Sequence, residues 1–311
     1  MNLGYYIFAL LILIIIDVKA QNSKSYDNSF HEIELTDGAD VDQFSFISNY
    51  LKDISHVGLG EASHGTQEFY IAKSILIKYL VNNLNFKIIA FEMDEHVAKD
   101  LNNFVIGGVA DISTTLKNYG LYNSIELKEL LEWVKTYNSK QIQDKSKVNI
   151  IGFDSKEFWP RPFERDSLMA DNLLQKSPKQ KCIIWAHNSH LIKSNTWDVT
   201  NSKVKAMGNY LSNNLNEKYY FIALDTKKGS FNVIEGGDLK EYSFEMNKKS
   251  LHEELSNFFV GFENYNLTNI YDLTHINSNW QGPPQTTSSK LGVDFDALIF
   301  VNKTSAAKPI E

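Results

Sequence analysis

Short apolar runs recur along this chain, and each one stops at polar, mostly titratable residues. Ile54 to Gly60 leads into Glu61. Lys87-Ile88-Ile89-Ala90-Phe91 ends on Glu92, and Val148 to Phe153 ends on Asp154. Cys182 to Trp185 delivers Ala186-His187-Asn188-Ser189-His190, and Tyr219 to Leu224 ends at Asp225-Thr226. Runs this short and this continuously apolar read as strands buried on both faces. Helical patterns separate them, and strands alternating with helices build βαβ units. The expected fold is therefore α/β, a mostly parallel central sheet flanked by helices. Its site belongs at the carboxyl edge of the strands, where open α/β sheets bind ligands.

The remaining elements follow from local signals. Asp40 to Lys52 reads as a short helix. A second helix starts near Thr66, carries the stripe Phe69, Ala72, Ile75, Leu76, Tyr79, Leu80, and ends near Leu84. Residues 96 to 139 read as helical with a break at Gly107-Gly108, and Ser124 is placed to cap the second part. Phe163 to Gln175, Val204 to Leu215 and Leu251 to Phe259 read as further helices. Residues 228 to 245 suggest antiparallel strands around Gly236-Gly237; Tyr271 to Leu273 and Phe295 to Val301 are late strands; Gln281 to Ser289 reads as a loop. No linker, internal repeat or coiled-coil heptad divides the chain, so residues 39–311 are expected to form one domain.

The N-terminus points to export. Tyr5 to Ile16 is an apolar run of twelve residues, shorter than the ~20 that span a bilayer. Val18-Lys19-Ala20 before Gln21 is a small-x-small cleavage site. Residues 1–20 are thus expected to be a signal peptide, 21–38 a flexible lead-in, and the mature chain exported without stable membrane insertion. Export permits disulfides, but the sole cysteine, Cys182, sits in a strand pattern and reads as a buried apolar residue. A net charge of −7 with no basic face argues against a nucleic-acid partner.

If the strands are parallel, their ends bring Glu61, His64, Glu92, Asp154, His187 and His190 to one edge. Of the eight histidines, the others (His31, His56, His96, His252, His275) sit in no such setting. Three chemistries fit. In metal-free hydrolysis, His64 takes a proton from water while Glu61 or Glu92 fixes its tautomer, and His187 or His190 positions water or protonates the leaving oxygen. In a metal site, His187-x-x-His190 and Glu61-x-x-His64, with Glu92 and Asp154, hold one or two divalent ions. In nucleophilic catalysis Ser63 or Ser189 attacks, although Glu61 replaces the first glycine of a nucleophile elbow. The bland alternative is a satisfied polar turn. Lys73, on the face shared with Thr66 and Tyr70, is either a surface lysine or a cation pairing Glu92 or an anionic intermediate. Arg165 and Asp166 open a helix and can cap or pair there.

Taken in order, several motifs resemble the erythromycin esterase family over roughly residues 50 to 305. They are Gly60-Glu61-Ala62-Ser63-His64-Gly65-Thr66-x-Glu68-Phe69 with Lys73, Phe91-Glu92, Gly152-x-Asp154, and Arg165-Asp166-x-x-Met169-Ala170-x-Asn172. Trp185-Ala186-His187-Asn188-x-His190, Met207-Gly208-x-x-Leu211 and Phe295-Asp296-Ala297 complete the set. The resemblance implies an α/β core with a helical portion over the site and water-driven opening of an ester or lactone, without metal or other cofactor. It makes His64 the general base, with Glu61, Glu92, His187, His190 and Lys73 beside it and Asp154, Arg165 and Asn188 supporting them. The implied partner is a small-molecule ester or lactone. A metal-dependent hydrolase at the same residues and a catalytically silent binding protein remain the alternatives. Only the ten residues Ser155 to Glu164 join Asp154 to Arg165, where macrolide-cleaving members carry a long helical stretch that walls and covers the cleft. The short link predicts a shallower, more open site, and argues against macrolide cleavage while leaving water activation in place.

Overall fold

The computed structural model of the protein describes residues 30–109, 111–193, 204–248, 251, 256–262, 269–279 and 282–311. The expected signal peptide, residues 21–29 of the lead-in, and His252 lie outside these described residues. Twelve strands occur among them: β1 (Phe30–Glu32), β2 (His56–Leu59), β3 (Ile88–Asp94), β4 (Asn149–Asp154), β5 (Cys182–Trp185), β6 (Tyr219–Thr226), β7 (Lys228–Glu235), β8 (Asp238–Glu245), β9 (Asn257–Gly261), β10 (Ile270–His275), β11 (Gln285–Lys290) and β12 (Ala297–Val301). The helices are α1 (Ser48–Leu51, continuing 3-10 turns over Val41–Ile47), α2 (Gln67–Asn83), α3 (Glu95–Val105), α4 (Ile112–Lys117), α5 (Ile125–Ser139), α6 (Arg165–Lys176), α7 (Asn188–Leu191) and α8 (Met207–Leu215).

Eight strands form the central sheet in the order β1-β9-β12-β6-β2-β5-β3-β4. From β12 to β4 every pairing is parallel; β9 runs antiparallel to both β12 and β1. The continuous apolar runs are explained by burial on both faces. Along β3, Ile89 and Phe91 join a core with Val57, Leu59, Trp185 and helices α2, α3 and α5, while Ile88 and Ala90 join a second core with Ile184, Phe221 and helices α6 and α8. Each successive residue serves the opposite layer, so Ile88 to Phe91 are buried without a break. Helix α2 is buried nearly all round, from Phe69 to Val81, which leaves Lys73 inside the protein. Ser124 caps α5 as its pattern predicts, its hydroxyl accepting from Leu127 N at 3.1 Å. Gly236 and Gly237, both at positive φ, close the β7–β8 hairpin, as a two-residue primed turn requires.

Three local expectations are overturned. The lead-in is not free throughout, because Phe30–Glu32 pairs with Phe258–Val260 as β1. The end of the expected helix Leu251–Phe259 is strand: Asn257–Gly261 lies between β12 and β1, and the buried Phe258, Phe259 and Val260 pack on both sheet faces. Tertiary pairing overrides the local pattern there. The expected loop Gln281–Ser289 contains β11, which pairs with β10 from Gln285 to Lys290. Its Thr/Ser run lies mostly outside the core, so it shows no apolar alternation although its β-branched residues suit an outer strand. No helix among the described residues is long and apolar enough to cross a membrane.

Candidate functional site

The carboxyl ends of β2, β5, β3 and β4 lie side by side, since these are neighbours in that order. Gly60 lets the chain turn off β2: a Cβ there would fall 2.0 Å from Asn188 Oδ1. Asn188 uses that side chain as a backbone substitute, donating to Leu224 O at 2.8 Å and accepting from Leu224 N at 3.3 Å, while its own N–H donates to Glu61 O at 2.9 Å. The turn is pinned again at Gly65, whose carbonyl accepts from Asn232 N (2.9 Å) and Ala307 N (3.0 Å). The Tyr70 hydroxyl reaches the carbonyls of His64 and Leu121.

This turn aims Glu61 inward. Its Oε1 accepts from His64 Nδ1 at 2.7 Å and its Oε2 from Lys73 Nζ at 2.6 Å, with both Glu61 and Lys73 fully buried. Lys73 thus pairs Glu61 and not Glu92, because α2 carries it under the turn. Burial lowers the Lys73 pKa to about 8 against the opposing pull of Glu61, and its ammonium also lies 4.4 Å over the Trp185 ring. A carboxylate at Nδ1 places the His64 proton there and leaves Nε2 with a lone pair. Among the described residues Nε2 has no partner, and the side chain is 17% exposed.

A second cluster surrounds Glu92, where the β3–β4 register breaks between Phe91 and Asp94. Bulges beside active sites re-aim side chains in this way. Glu92 Oε2 accepts from His187 N at 3.0 Å; its Oε1 lies 3.1 Å from Arg165 Nη2 and 3.2 Å from His190 Nε2. Burial alone would raise the Glu92 pKa, but His190, His64 and Arg165 outweigh it and hold the carboxyl well below the usual range. Arg165 also grips Asp154 in a fork, Nε to Oδ1 at 3.2 Å and Nη2 to Oδ2 at 2.8 Å, and Asp154 Oδ2 accepts from Trp159 Nε1 at 2.9 Å. His190 Nδ1 lies 2.9 Å from Asp166 Oδ1. Burial lowers the His190 pKa, yet Asp166 and Glu92 together carry it up to about 10. At neutral pH it is a fixed cation, unsuited to proton shuttling.

His187 is committed within the chain. Its Nδ1 accepts from Ser189 Oγ (2.9 Å) and Ser189 N (3.2 Å), capping α7, and its Nε2 donates to Ala62 O at 3.0 Å. Burial, with His275 and His64 alongside, keeps its pKa well below the ordinary value. Both nitrogens are spent on these bonds, which anchor the β5 end to the Glu61 turn. The serine readings weaken similarly: the Ser63 hydroxyl bonds Thr66, and Ser189 is buried. Among the described residues no group of three or more His, Cys, Asp or Glu side chains is disposed to hold a metal ion.

The erythromycin esterase family profile matches residues 81–162 and 159–304. The chain belongs to the erythromycin esterase family. Glu92, Asp154, Arg165, His187 and His190 fall inside the matched residues, and the Glu61–Thr66 turn precedes them. Two curated Escherichia coli relatives are similar over shorter stretches. Erythromycin esterase type II is 30% identical over 115 residues, 36% of this chain and 26% of that protein. Erythromycin esterase type I is 28% identical over 120 residues, 37% and 27% of the two chains. The match thus spans about a quarter of each relative's length. Among solved structures, an erythromycin esterase mutant, EreC, in its open conformation shares the fold at a TM-score of 0.61 and 14% identity, covering 88% of this chain and 96% of that one. A succinoglycan biosynthesis protein aligns at a TM-score of 0.78 and 18% identity, covering 95% of this chain and 99% of its own.

The Asp154–Arg165 link has the short form its sequence predicts. It contains no helix, only turns over Ser155 to Glu164, and leaves Trp159 and Phe163 exposed beside the cluster. His275, set apart by sequence reasoning, packs its ring edge-on against His187 at 4.7 Å between centroids. The signal for it existed: like the other site residues, it follows a short strand. His56 and His96 match expectation, one buried and bonded to Ser55 and Ser177, the other almost fully exposed. Cys182 is buried and free, and burial pushes its thiol pKa up.

Proposed function

We propose that the protein is a hydrolase of ester or lactone bonds in which His64 is the general base. The observation that carries this reading is Glu61, held between Lys73 and His64 Nδ1, which leaves His64 Nε2 partly exposed and without a partner among the described residues. Nε2 takes a proton from water and the oxygen attacks the substrate carbonyl; as the tetrahedral intermediate collapses, the acyl C–O bond breaks and the His64 imidazolium returns the proton to the leaving oxygen. Glu61 then lies against an imidazolium it already faces, so no dipole must turn during the step. Four carboxylates (Glu61, Glu92, Asp154, Asp166) surround three cations (Lys73, Arg165, His190), and the proton taken by His64 brings the cluster to balance. Among the described residues Arg165 Nη1 has no carboxylate partner, and it lies 3.5 Å from His190 Nε2, which suits it to meet the oxyanion as it forms. No metal is assigned a step. The open link before Arg165 supports esters other than covered macrolides, and the apolar run at Tyr5 to Ile16 supports an exported enzyme.

The test is turnover of a panel of esters and lactones by the full chain and its His64→Asn variant, with metal content measured on both. Loss of turnover by about 10²–10⁴-fold is expected. Unchanged turnover in the variant removes His64 from the reaction, and activity that tracks a stoichiometric metal and vanishes with chelator removes the metal-free mechanism.

A further inference from the structure

The Ala62 carbonyl, two residues before the proposed base, is a shared anchor. It accepts from His187 Nε2 at 3.0 Å and from Ile276 N at 2.9 Å. The second bond fixes the residue next to His275 against the base turn. Two residues further on, Ser278 O accepts from Ile234 N at 3.1 Å, and His275 itself ends β10 in register with Gln285 of β11, so the segment carrying His275 is held on both sides. Its ring stacks edge-on to His187 (4.7 Å, 74°), and His187 in turn lies 5.2 Å from His64. These separations keep His275 within about 10 Å of His64, a span of a few bonds in a substrate.

The two nitrogens of His275 are not equivalent. Nε2 lies 2.9 Å from Asn277 Oδ1, which only accepts, so Nε2 carries the proton. Nδ1 has no partner among the described residues, and the side chain is partly exposed. Unlike His187, this histidine keeps one atom for a ligand.

We propose that His275 meets the substrate, its Nδ1 accepting a hydrogen bond from a hydroxyl group carried close to the ester or lactone carbonyl. This assigns the site a substrate class, hydroxylated esters or lactones, and rests on the hydrolase reading for the ester itself. Burial, opposed by Asn277 and reinforced by His190 and His64, lowers the His275 pKa, which keeps Nδ1 an acceptor at neutral pH. A general-acid role does not suit it for the same reason.

The test uses the full chain with methyl butanoate and the methyl esters of 2-hydroxy- and 3-hydroxybutanoic acid. Ring 15N signals are recorded, His275 being assigned by the signal lost in His275→Phe, which retains a ring against His187. At least one hydroxy ester is expected to move the Nδ1 resonance and methyl butanoate to leave it unmoved. KM for that hydroxy ester is expected to be about threefold to tenfold lower than for methyl butanoate, the worth of one neutral hydrogen bond, and His275→Phe to erase the difference. If His275→Phe fails to fold, His275→Gln replaces it in both roles. The proposal falls if no hydroxy ester moves Nδ1, if all three esters move it alike, or if the preference survives the substitution. A shift of Nδ1 without turnover keeps this proposal and removes the hydrolase reading; turnover without a shift does the reverse.

Discussion

Lys73 Nζ lies 2.6 Å from Glu61 Oε2, and solvent reaches neither side chain. Breaking a buried ion pair from one side strands the other charge, at about 3–5 kcal/mol. Lys73→Met is therefore expected to lower the urea-unfolding free energy by that order. Adding Glu61→Gln is expected to recover most of it, because the stranded charge is gone. A double variant no more stable than Lys73→Met would show that the pair is not coupled.

His190 sets an alkaline limit. Its pKa is carried from the ordinary 6.5 to about 10 in the folded protein, so the folded state binds more protons across that window. The stabilisation is complete below 6.5 and drains away as pH rises toward 10. Lys73, lowered to about 8, acts in the opposite sense above that pH. The loss is thus steepest between 6.5 and 8, about 2 kcal/mol. Denaturant melts across this range measure it, and His190→Asn is expected to flatten the slope.

Arg165 is held by geometry as much as by charge. Its fork on Asp154 and reach to Glu92 cannot be reproduced by a point-charge ammonium. Arg165→Lys is expected to cut kcat by tenfold or more, roughly one lost charge-assisted hydrogen bond in the transition state. Because Trp159 shares the Asp154 carboxylate, its fluorescence should shift in the same variant, and an unchanged spectrum with unchanged kcat would deny the network its role.

Export is checked by mass spectrometry of the mature N-terminus. Cleavage after Ala20 leaves Gln21 first; a full-length chain retained with membranes would show that the apolar run is an anchor.

The sheet was legible because burial on both faces leaves a plain mark: Ile88 to Phe91 and Cys182 to Trp185 are apolar without interruption. Strand-end placement is enough to bring Glu61, Glu92, Asp154 and His190 to one edge. What the sequence could not carry was how donors are allotted within the cluster. His187 and His190 belong to one motif three residues apart, yet one is neutral and spent on Ala62 and Ser189 while the other is a charged bridge. That difference comes from Asp166 on α6 and from a carbonyl in a distant turn. β11 and β9 were missed for related reasons, their pairing partners lying far away in sequence. His275 shares their strand-end position, but its place beside the site depends on the long-range bond from Ile276 N to Ala62 O.

The same bond has a consequence for timing. The Glu61–Thr66 turn lies early in the chain, but its carbonyls at Ala62 and Gly65 are bonded by Ile276, Asn232 and Ala307. A ribosome must deliver the chain through Ala307 before the turn is locked. Until then the chain carries every side chain of the proposed site and none of their arrangement, so the His64–Glu61 geometry arrives only with the docking of the C-terminal segments.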